Sequence, residues 1–330
     1  MADIGVIGAG SWGTALAMLL CENGHEVVLW AHRKEKVEQM RATGTCDKLP
    51  QITLPEKMCY TESIQEAVMG KELIVLAVSS TATRSTVQRM KPFVKSSQIV
   101  CSVSKGIEEG TLLTQCGIIE DVLGTYQLVG VLSGPSHAEE VVQKLPTVVV
   151  AGAKEEKVAT FLQDCFMNEV FRVYTSSDVV GIEIGASLKN VIALAAGMSD
   201  GLGYGDNTKA ALITRGIREI SGLALAMGGN PETLSGLAGT GDLIVTCSSK
   251  HSRNRRAGML IGQGSKPDAA MREVKMVVEG VHSAKAALAL GEKYHVTLPI
   301  IEQVNGVLFE GKDPKTAVRT LMEREKKAEI

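Results

Sequence analysis

The chain has 330 residues, a formal net charge of -2, 45% hydrophobic and 22% charged residues. This is globular composition, with room for two domains and a substantial core. Near-neutral charge argues against nucleic acid or an anionic membrane as the main partner. Aromatics are only 4% while glycine numbers 34, a balance that suits tight βα turns and close helix packing rather than a β-sandwich. The seven cysteines, Cys21, Cys46, Cys59, Cys101, Cys116, Cys165 and Cys247, are odd in count, scattered and free of any C-x-x-C pair. They read as reduced thiols of a cytoplasmic protein without a structural zinc site, so no metal is expected. No apolar run is read as long enough to span a membrane, and the N-terminus enters a strand at once with no signal-peptide pattern.

Asp3-Ile-Gly-Val-Ile7 reads as a buried strand, followed directly by Gly8-Ala-Gly-Ser-Trp-Gly13. Thr14 to Glu22 has helical apolar spacing, Asn23-Gly24 stops it, and Glu26-Val-Val-Leu-Trp30 is a second strand. Strand, glycine turn, helix and strand within about thirty residues is the context that turns G-x-G-x-x-G into a dinucleotide-binding signal. Gly8 permits the tight turn, Gly10 lets the pyrophosphate approach the backbone, and Gly13 lets the helix pack on the strand. The phosphates then meet free N–H groups at the helix start, with Ser11 and Trp12 in the turn as cofactor contacts. At the end of the second strand an NAD site usually carries a carboxylate for the ribose. Here it reads Trp30-Ala-His-Arg33, and His32 with Arg33 favours a 2′-phosphate, hence NADP, unless Arg33 merely starts the next helix.

Further βα units follow. Glu72–Val78 is a strand ending in Ser79-Ser80-Thr81, Gln98–Val103 delivers Ser104-Lys105-Gly106, and Leu128–Leu132 ends in Ser133-Gly-Pro-Ser-His-Ala138. Ligands in open α/β sheets bind beyond the carboxyl ends of strands, so Lys105, Gly134, Ser136 and Ala138 are on the functional edge by position. Lys105 as a surface lysine and Gly134-Pro135 as a plain turn are the bland alternatives. A last α/β stretch, Thr147 to Tyr174, completes a Rossmann-type domain over residues 1–178, with Tyr174–Asp178 as linker.

From Val179 the strands fade, and residues 179–330 read as an α-helical domain. Its helices are expected over Val179–Met198, Asn207–Met227, Ser252–Gly262, Met271–Met276, Val281–Lys293, Ile300–Phe309 and Pro314–Lys327, with Glu323–Glu329 as a solvated helix end. Within Ile184–Met198 the only ionisable side chain is Lys189, followed by Asn190. A lysine in such surroundings is paired, snorkels out, or has its pKa lowered by desolvation. Asp242 and Thr246 lie four apart and would share a helix face, although Asp242 also reads as an N-cap. Ser252 could cap the next helix, with Arg253 and Asn254 presenting donors at its start, an anion site from guanidinium fork and helix end. A solvated basic face is the alternative.

Together these motifs resemble the NAD(P)-dependent glycerol-3-phosphate dehydrogenases, bacterial type, over nearly the whole chain. The matching residues are Gly8–Leu16, Ser104–Gly106, Ser133–Ser136, Lys189–Ile192, Thr214–Gly216, Gly241–Leu243, Ser252–Arg255 and Val277–Gly280. The resemblance implies a two-domain architecture like that of 6-phosphogluconate dehydrogenase. It implies reversible reduction of dihydroxyacetone phosphate by NAD(P)H to sn-glycerol 3-phosphate, feeding glycerophospholipid synthesis. It further implies that Lys189 accepts the proton when glycerol 3-phosphate is oxidised, with Lys105, Asp242, Asn190 and Thr246 in the catalytic group. Substrate contacts would be Lys105, Gly134, Ser136, Lys189, Asp242, Ser252, Arg253 and Asn254. Cofactor contacts would be Ser11, Trp12, His32, Lys105, Ala138, Arg253, Val277 and Glu279, beside the glycines and Arg33. His32 and Arg33 fall in a stretch that varies in the family, so NADPH is favoured over NADH less firmly than the chemistry itself. A hydroxyacid or 6-phosphogluconate-type dehydrogenase, or a cofactor-sensing regulator, would share the architecture, but Asp242 and the Ser252–Arg255 run favour a small phosphate substrate. Oligomeric state stays open, a homodimer included.

Overall fold

Apolar β-branched runs bounded by glycine turns build one large sheet in the first half. The computed structural model describes every residue except Met276, Lys327 and Ile330. Its first elements are β1 (Asp3–Ile7), α1 (Ser11–Glu22), β2 (Glu26–Trp30), α2 (Lys34–Thr43), a hairpin of β3 (Thr45–Cys46) and β4 (Leu49–Thr53), β5 (Cys59–Thr61) and α3 (Ile64–Val68). There follow β6 (Leu73–Leu76), α4 (Thr83–Met90), β7 (Ile99–Ser102), α5 (Gln115–Leu123), β8 (Leu128–Ser133), α6 (Ala138–Val141), β9 (Thr147–Ala153), α7 (Glu156–Phe166) and β10 (Phe171–Ser176). The sheet order is β10-β9-β8-β7-β6-β1-β2-β5, parallel throughout except that β9 runs antiparallel to β8. Strands β6 and β7 are buried at every position, as expected of strands covered on both faces. The chain leaves β1 toward β2 on one side and returns to β6 on the other, so the strand order reverses at the carboxyl ends of β1 and β6. Such a switch point is where open α/β sheets hold ligands.

The second half is helical: α8 (Val179–Gly201), α9 (Asp206–Ala226), α10 (Pro231–Ser235), α11 (Asp242–Ser248), α12 (Arg253–Gly262), α13 (Pro267–Val274), α14 (Glu279–Tyr294), α15 (Pro299–Phe309) and α16 (Pro314–Met322). The chain divides into two compact units, the first Met1–Glu108 with Leu113–Glu183, the second Glu109–Leu112 with Ile184–Ile330. Helix α8 is the apolar core of the second unit, packed backbone to backbone on α12. A Cβ at Gly197 would stand 2.0 Å from the Arg255 carbonyl oxygen, and one at Gly258 2.1 Å from that of Leu194. Only small residues allow this seam, and it fixes what the start of α12 can reach on α8.

Four expectations need correction. Helix α8 is long and apolar enough to cross a membrane, with mean hydropathy 1.6, but 83% of its apolar window is buried inside the protein. Its apolarity belongs to a core. Tyr174–Asp178 is no linker: β10 pairs with β9 as far as Ser176, with Phe171 and Val173 inward and Arg172 and Tyr174 outward. The polar residues that suggested a linker sit on an edge strand with one solvated side. Helix α13 starts at Pro267 and ends before Lys275, which takes a left-handed φ of 56°; the expected end, Met276, lies outside the described residues. Helix α16 stops at Met322, so Glu323–Lys326 is not a helix end. Glu323 and Glu325 would meet the negative end of the helix dipole, and among the described residues of the tail none is buried to offset it; Lys327 lies outside the described residues.

Candidate active site

In the first unit the site begins with a backbone turn at the β1/β6 switch. Gly8 has φ +125°, and a Cβ there would stand 2.5 Å from the Ala77 carbonyl oxygen. At Gly13 a Cβ would lie 1.9 Å from the Gly8 carbonyl oxygen, whereas at Gly10 it would meet nothing within 4 Å. Two of the glycines are thus required by the fold itself, and Gly10 keeps an open approach to its backbone. Helix α1 starts at Ser11 with no side-chain cap and no acidic residue in its first turn, leaving first-turn N–H groups for an anion. The Trp12 indole N–H is buried and, among the described residues, has no hydrogen-bond partner. Open backbone, uncapped helix start and an unspent donor fit a dinucleotide pyrophosphate. His32 and Arg33 stand exposed at the end of β2, and Arg33 is also the N-cap residue of α2.

Lys105 follows β7 in a loop tied down from both sides. The Ser104 hydroxyl donates to the Val78 carbonyl at 2.6 Å. Lys105 Nζ donates to the Gly134 carbonyl at 3.3 Å, and the Ser136 hydroxyl donates to the same oxygen at 2.9 Å. Lys105, Gly134 and Ser136, separate in sequence, therefore converge. Ala138 opens α6 and is buried. Sequence reasoning missed Gln115: it is 1% exposed, its Nε2 donates to the Gly106 carbonyl at 2.9 Å and its Oε1 accepts from Thr83. It braces the loop that carries Lys105. A polar residue at a helix start gives no sequence signal of a long-range brace.

In the second unit Lys189 is 5% exposed, so it does not snorkel. Its Nζ donates to Asp242 Oδ1 and, at 2.8 Å, to Thr246 Oγ1. Thr246 sends its own proton to the Asp242 main-chain carbonyl at 2.6 Å, which turns a lone pair toward the ammonium. Asp242 is the first residue of α11, one position past the N-cap Gly241, and follows a single π-helical turn over Leu237–Gly241. Its carboxylate faces Lys189. π-turns recur where a helix must present a functional side chain. Cys247, next along α11, offers no competing nucleophile, because burial pushes its thiol up to about 12.

Asn190 lies beside Lys189, and its Oδ1 accepts from Asn254 Nδ2 at 3.0 Å. Asn254 Oδ1 in turn accepts from the Gly280 N–H at 2.9 Å. Asn254 is thus turned inward rather than displayed with Arg253 at the start of α12. The reason is the close α8/α12 seam. Ser252 caps α12 as expected, its hydroxyl accepting from Arg255 N at 3.2 Å, and Arg253 is exposed at the first helical position. Arg255 belongs elsewhere: its Nε donates to Asp200 at 2.6 Å, and Lys209 pairs with the same carboxylate at 2.8 Å. Val277 is exposed, and Glu279 opens α14. Gly280, part of the Val277–Gly280 motif but given no role by the sequence, would clash through a Cβ 2.5 Å from the Asn190 carbonyl oxygen.

A buried lysine held by a carboxylate and a hydroxyl, in a chain with a dinucleotide turn, is the equipment of a carbonyl reductase. Family models agree: "NAD-dependent glycerol-3-phosphate dehydrogenase N-terminus" matches residues 3–159 and the corresponding C-terminus model residues 178–319. The chain belongs to the glycerol-3-phosphate dehydrogenase family. Glycerol-3-phosphate dehydrogenase [NAD(P)+] of Agathobacter rectalis is 60% identical over 100% of this chain and 98% of its own length. That of Fusobacterium nucleatum is 55% identical over 100% and 99%. The solved glycerol-3-phosphate dehydrogenase of Coxiella burnetii superposes with a TM-score of 0.93 at 37% identity, covering 98% of this chain and 99% of that one. A ketopantoate reductase from Ralstonia eutropha, at 20% identity and a TM-score of 0.61, shares the fold. As a glycerol-3-phosphate dehydrogenase the chain is an NAD(P)-dependent oxidoreductase acting on a CH–OH donor.

Proposed function

We propose that the first unit holds the dinucleotide and the second holds the substrate and moves the proton. The reaction is the reversible reduction of dihydroxyacetone phosphate to sn-glycerol 3-phosphate, which supplies glycerophospholipid synthesis. The Lys189–Asp242–Thr246 cluster carries this reading.

When bound, the reduced nicotinamide supplies the hydride to the carbonyl carbon. Reduction builds negative charge on the carbonyl oxygen, and Lys189 stabilises that charge and gives the oxygen a proton from Nζ. In the oxidative direction Nζ accepts the proton from the alcohol. Asp242 offsets the cost of burying the ammonium, and Thr246 with Asp242 fixes its direction. Asn190 orders the adjoining turn through Asn254 and Gly280. Lys105, with Gly134 and Ser136, adds a second positive centre for the substrate, and Arg253 with Ser252 holds its phosphate through the guanidinium fork and the start of α12, while Asn254 braces that start from within.

Gly8, Gly10, Ser11, Trp12 and Gly13 receive the pyrophosphate, with Ala138, Val277 and Glu279 as further cofactor contacts. His32 and Arg33, where a ribose-binding carboxylate would stand, favour NADPH over NADH. The enzyme works in the cytoplasm. Steady-state reduction of dihydroxyacetone phosphate with NADPH and NADH side by side tests the reading. Turnover with both and a higher kcat/KM for NADPH is expected. No turnover with either would overturn the activity, and a strong NADH preference would overturn the reading of His32 and Arg33.

A further inference from the structure

The end of β2 carries a cluster that the reading above uses only in part. Trp30 is buried, and its indole N–H donates to the Glu62 carbonyl at 2.9 Å. That bond fixes the ring. Over the ring lies the guanidinium of Arg89, from α4, with Cζ 5.3 Å from the ring centroid. Arg89 Nη1 donates to His32 Nδ1 at 3.3 Å, and the His32 ring is tilted against Trp30 at 6.0 Å. With Nδ1 accepting, the His32 ring carries its proton on Nε2 and offers a second donor.

Among the described residues no carboxylate pairs with Arg89, His32 or Arg33. Arg84, on the same helix, shows the contrast: it is tied to Glu108 and Asp121. A stacked, oriented guanidinium keeps its fork for a phosphate while losing little freedom on binding. Its place beside the end of β2 is where a dinucleotide fold distinguishes a 2′-hydroxyl from a 2′-phosphate.

We infer that Arg89 is a specificity-determining residue, its guanidinium held over Trp30 to bind the adenosine 2′-phosphate of NADP(H), with His32 as the neighbouring donor. This rests on the NADPH preference proposed above and assigns it a residue on α4 that the glycine fingerprint and the end of β2 do not contain. Isothermal titration of the full-length protein with 2′,5′-ADP and with 5′-ADP tests it without turnover, in the wild type, Arg89→Ala and Arg89→Lys. For Arg89→Ala, affinity for 2′,5′-ADP should fall by about 10- to 100-fold, the size of a charge-assisted bond to a phosphate. Affinity for 5′-ADP should stay within about 2-fold, because the lost bond is one that ligand never makes. Arg89→Lys should lie between, keeping charge without the fork, and the salt dependence of 2′,5′-ADP binding should weaken in Arg89→Ala. Equal losses for both ligands, or none, would overturn the assignment. A wild type that binds 2′,5′-ADP no better than 5′-ADP would overturn the NADPH reading and this inference with it. A wild type that discriminates as strongly as Arg89→Ala would remove Arg89 alone.

Discussion

The two units build their polar centres from different materials. In the first unit the working surface is mostly backbone: the Gly8–Gly13 turn, the uncapped start of α1, and the Gly134 carbonyl that gathers Lys105 and Ser136. In the second unit it is side chains on packed helices, Lys189 against Asp242 and Thr246, and Asn190 against Asn254. A backbone site tolerates most side chains except where a Cβ would intrude. A side-chain site fails when any partner is removed, because buried polar groups left alone carry the full desolvation cost.

The sharpest test of that contrast is Lys189→Ala. It should lower kcat by about 1,000-fold or more, the upper range for a positioned acid–base group, while NADPH binding measured by cofactor fluorescence stays near wild type. It should also lower Tm, since Asp242 is left buried without its cation, and the double variant Lys189→Met/Asp242→Leu should recover much of that loss. A Lys189→Ala enzyme with near-normal kcat would remove the lysine from the chemistry.

Gly10→Ala and Gly13→Ala separate what the cofactor needs from what the fold needs. At Gly13 a Cβ would stand 1.9 Å from the Gly8 carbonyl oxygen, so Tm should drop by several degrees or more. At Gly10 the space is empty, so Tm should hold while NADPH affinity falls by roughly 10-fold or more, through lost backbone approach. If both variants lost Tm equally, Gly10 would be structural too.

Gln115→Leu probes the brace between backbone and side chain. Releasing the Gly106 carbonyl loosens the Lys105 loop, and kcat/KM for dihydroxyacetone phosphate should fall by about 10-fold. Gln115→Glu, which keeps an acceptor for Thr83 but no donor for Gly106, should recover little.

The smallest effect concerns Glu219, far in sequence from the catalytic groups. Its carboxylate accepts from the Ile300 N–H at 2.8 Å at the start of α15, and burial pushes its pKa up from 4.5 to about 7. Between those values the folded chain holds a proton that the unfolded chain releases, so stability from this group is present at low pH and lost as pH rises toward and through about 7. Glu219→Gln removes the titration. Its Tm relative to wild type should therefore rise between about pH 5 and 8. A constant difference across that range would show that Glu219 does not titrate there.

Much of the first unit is legible because its chemistry is local. The glycine spacing, the strand before it and the missing carboxylate after β2 lie within one βαβ segment, and each position answers to a nearby backbone constraint. The strand at Tyr174–Ser176 was misread because an edge strand admits the polar residues of a linker. In the second unit Lys189 stands out in sequence as a lone charge in an apolar helix, and Asp242 and Thr246 as a pair one turn apart. That the pair meets the lysine depends on how α11 closes on α8, that Asn254 turns inward to Asn190 on α8 and α12 approaching at backbone distance, and that Gly280 must lack a side chain on the start of α14 lying against the Asn190 carbonyl.

The sequence by itself determined the βα units that carry the site, the helical character of the second half, the dinucleotide turn and which residues carry reactive groups. These follow from periodicity and from glycines whose neighbours are a few positions away. Only the tertiary structure decided which of those groups share one environment. Packing across 53 residues gave Lys189 its carboxylate, and packing across 57 residues set Arg89 beside His32. Distances of that kind are fixed by how helices and strands close on one another, and no local pattern records them.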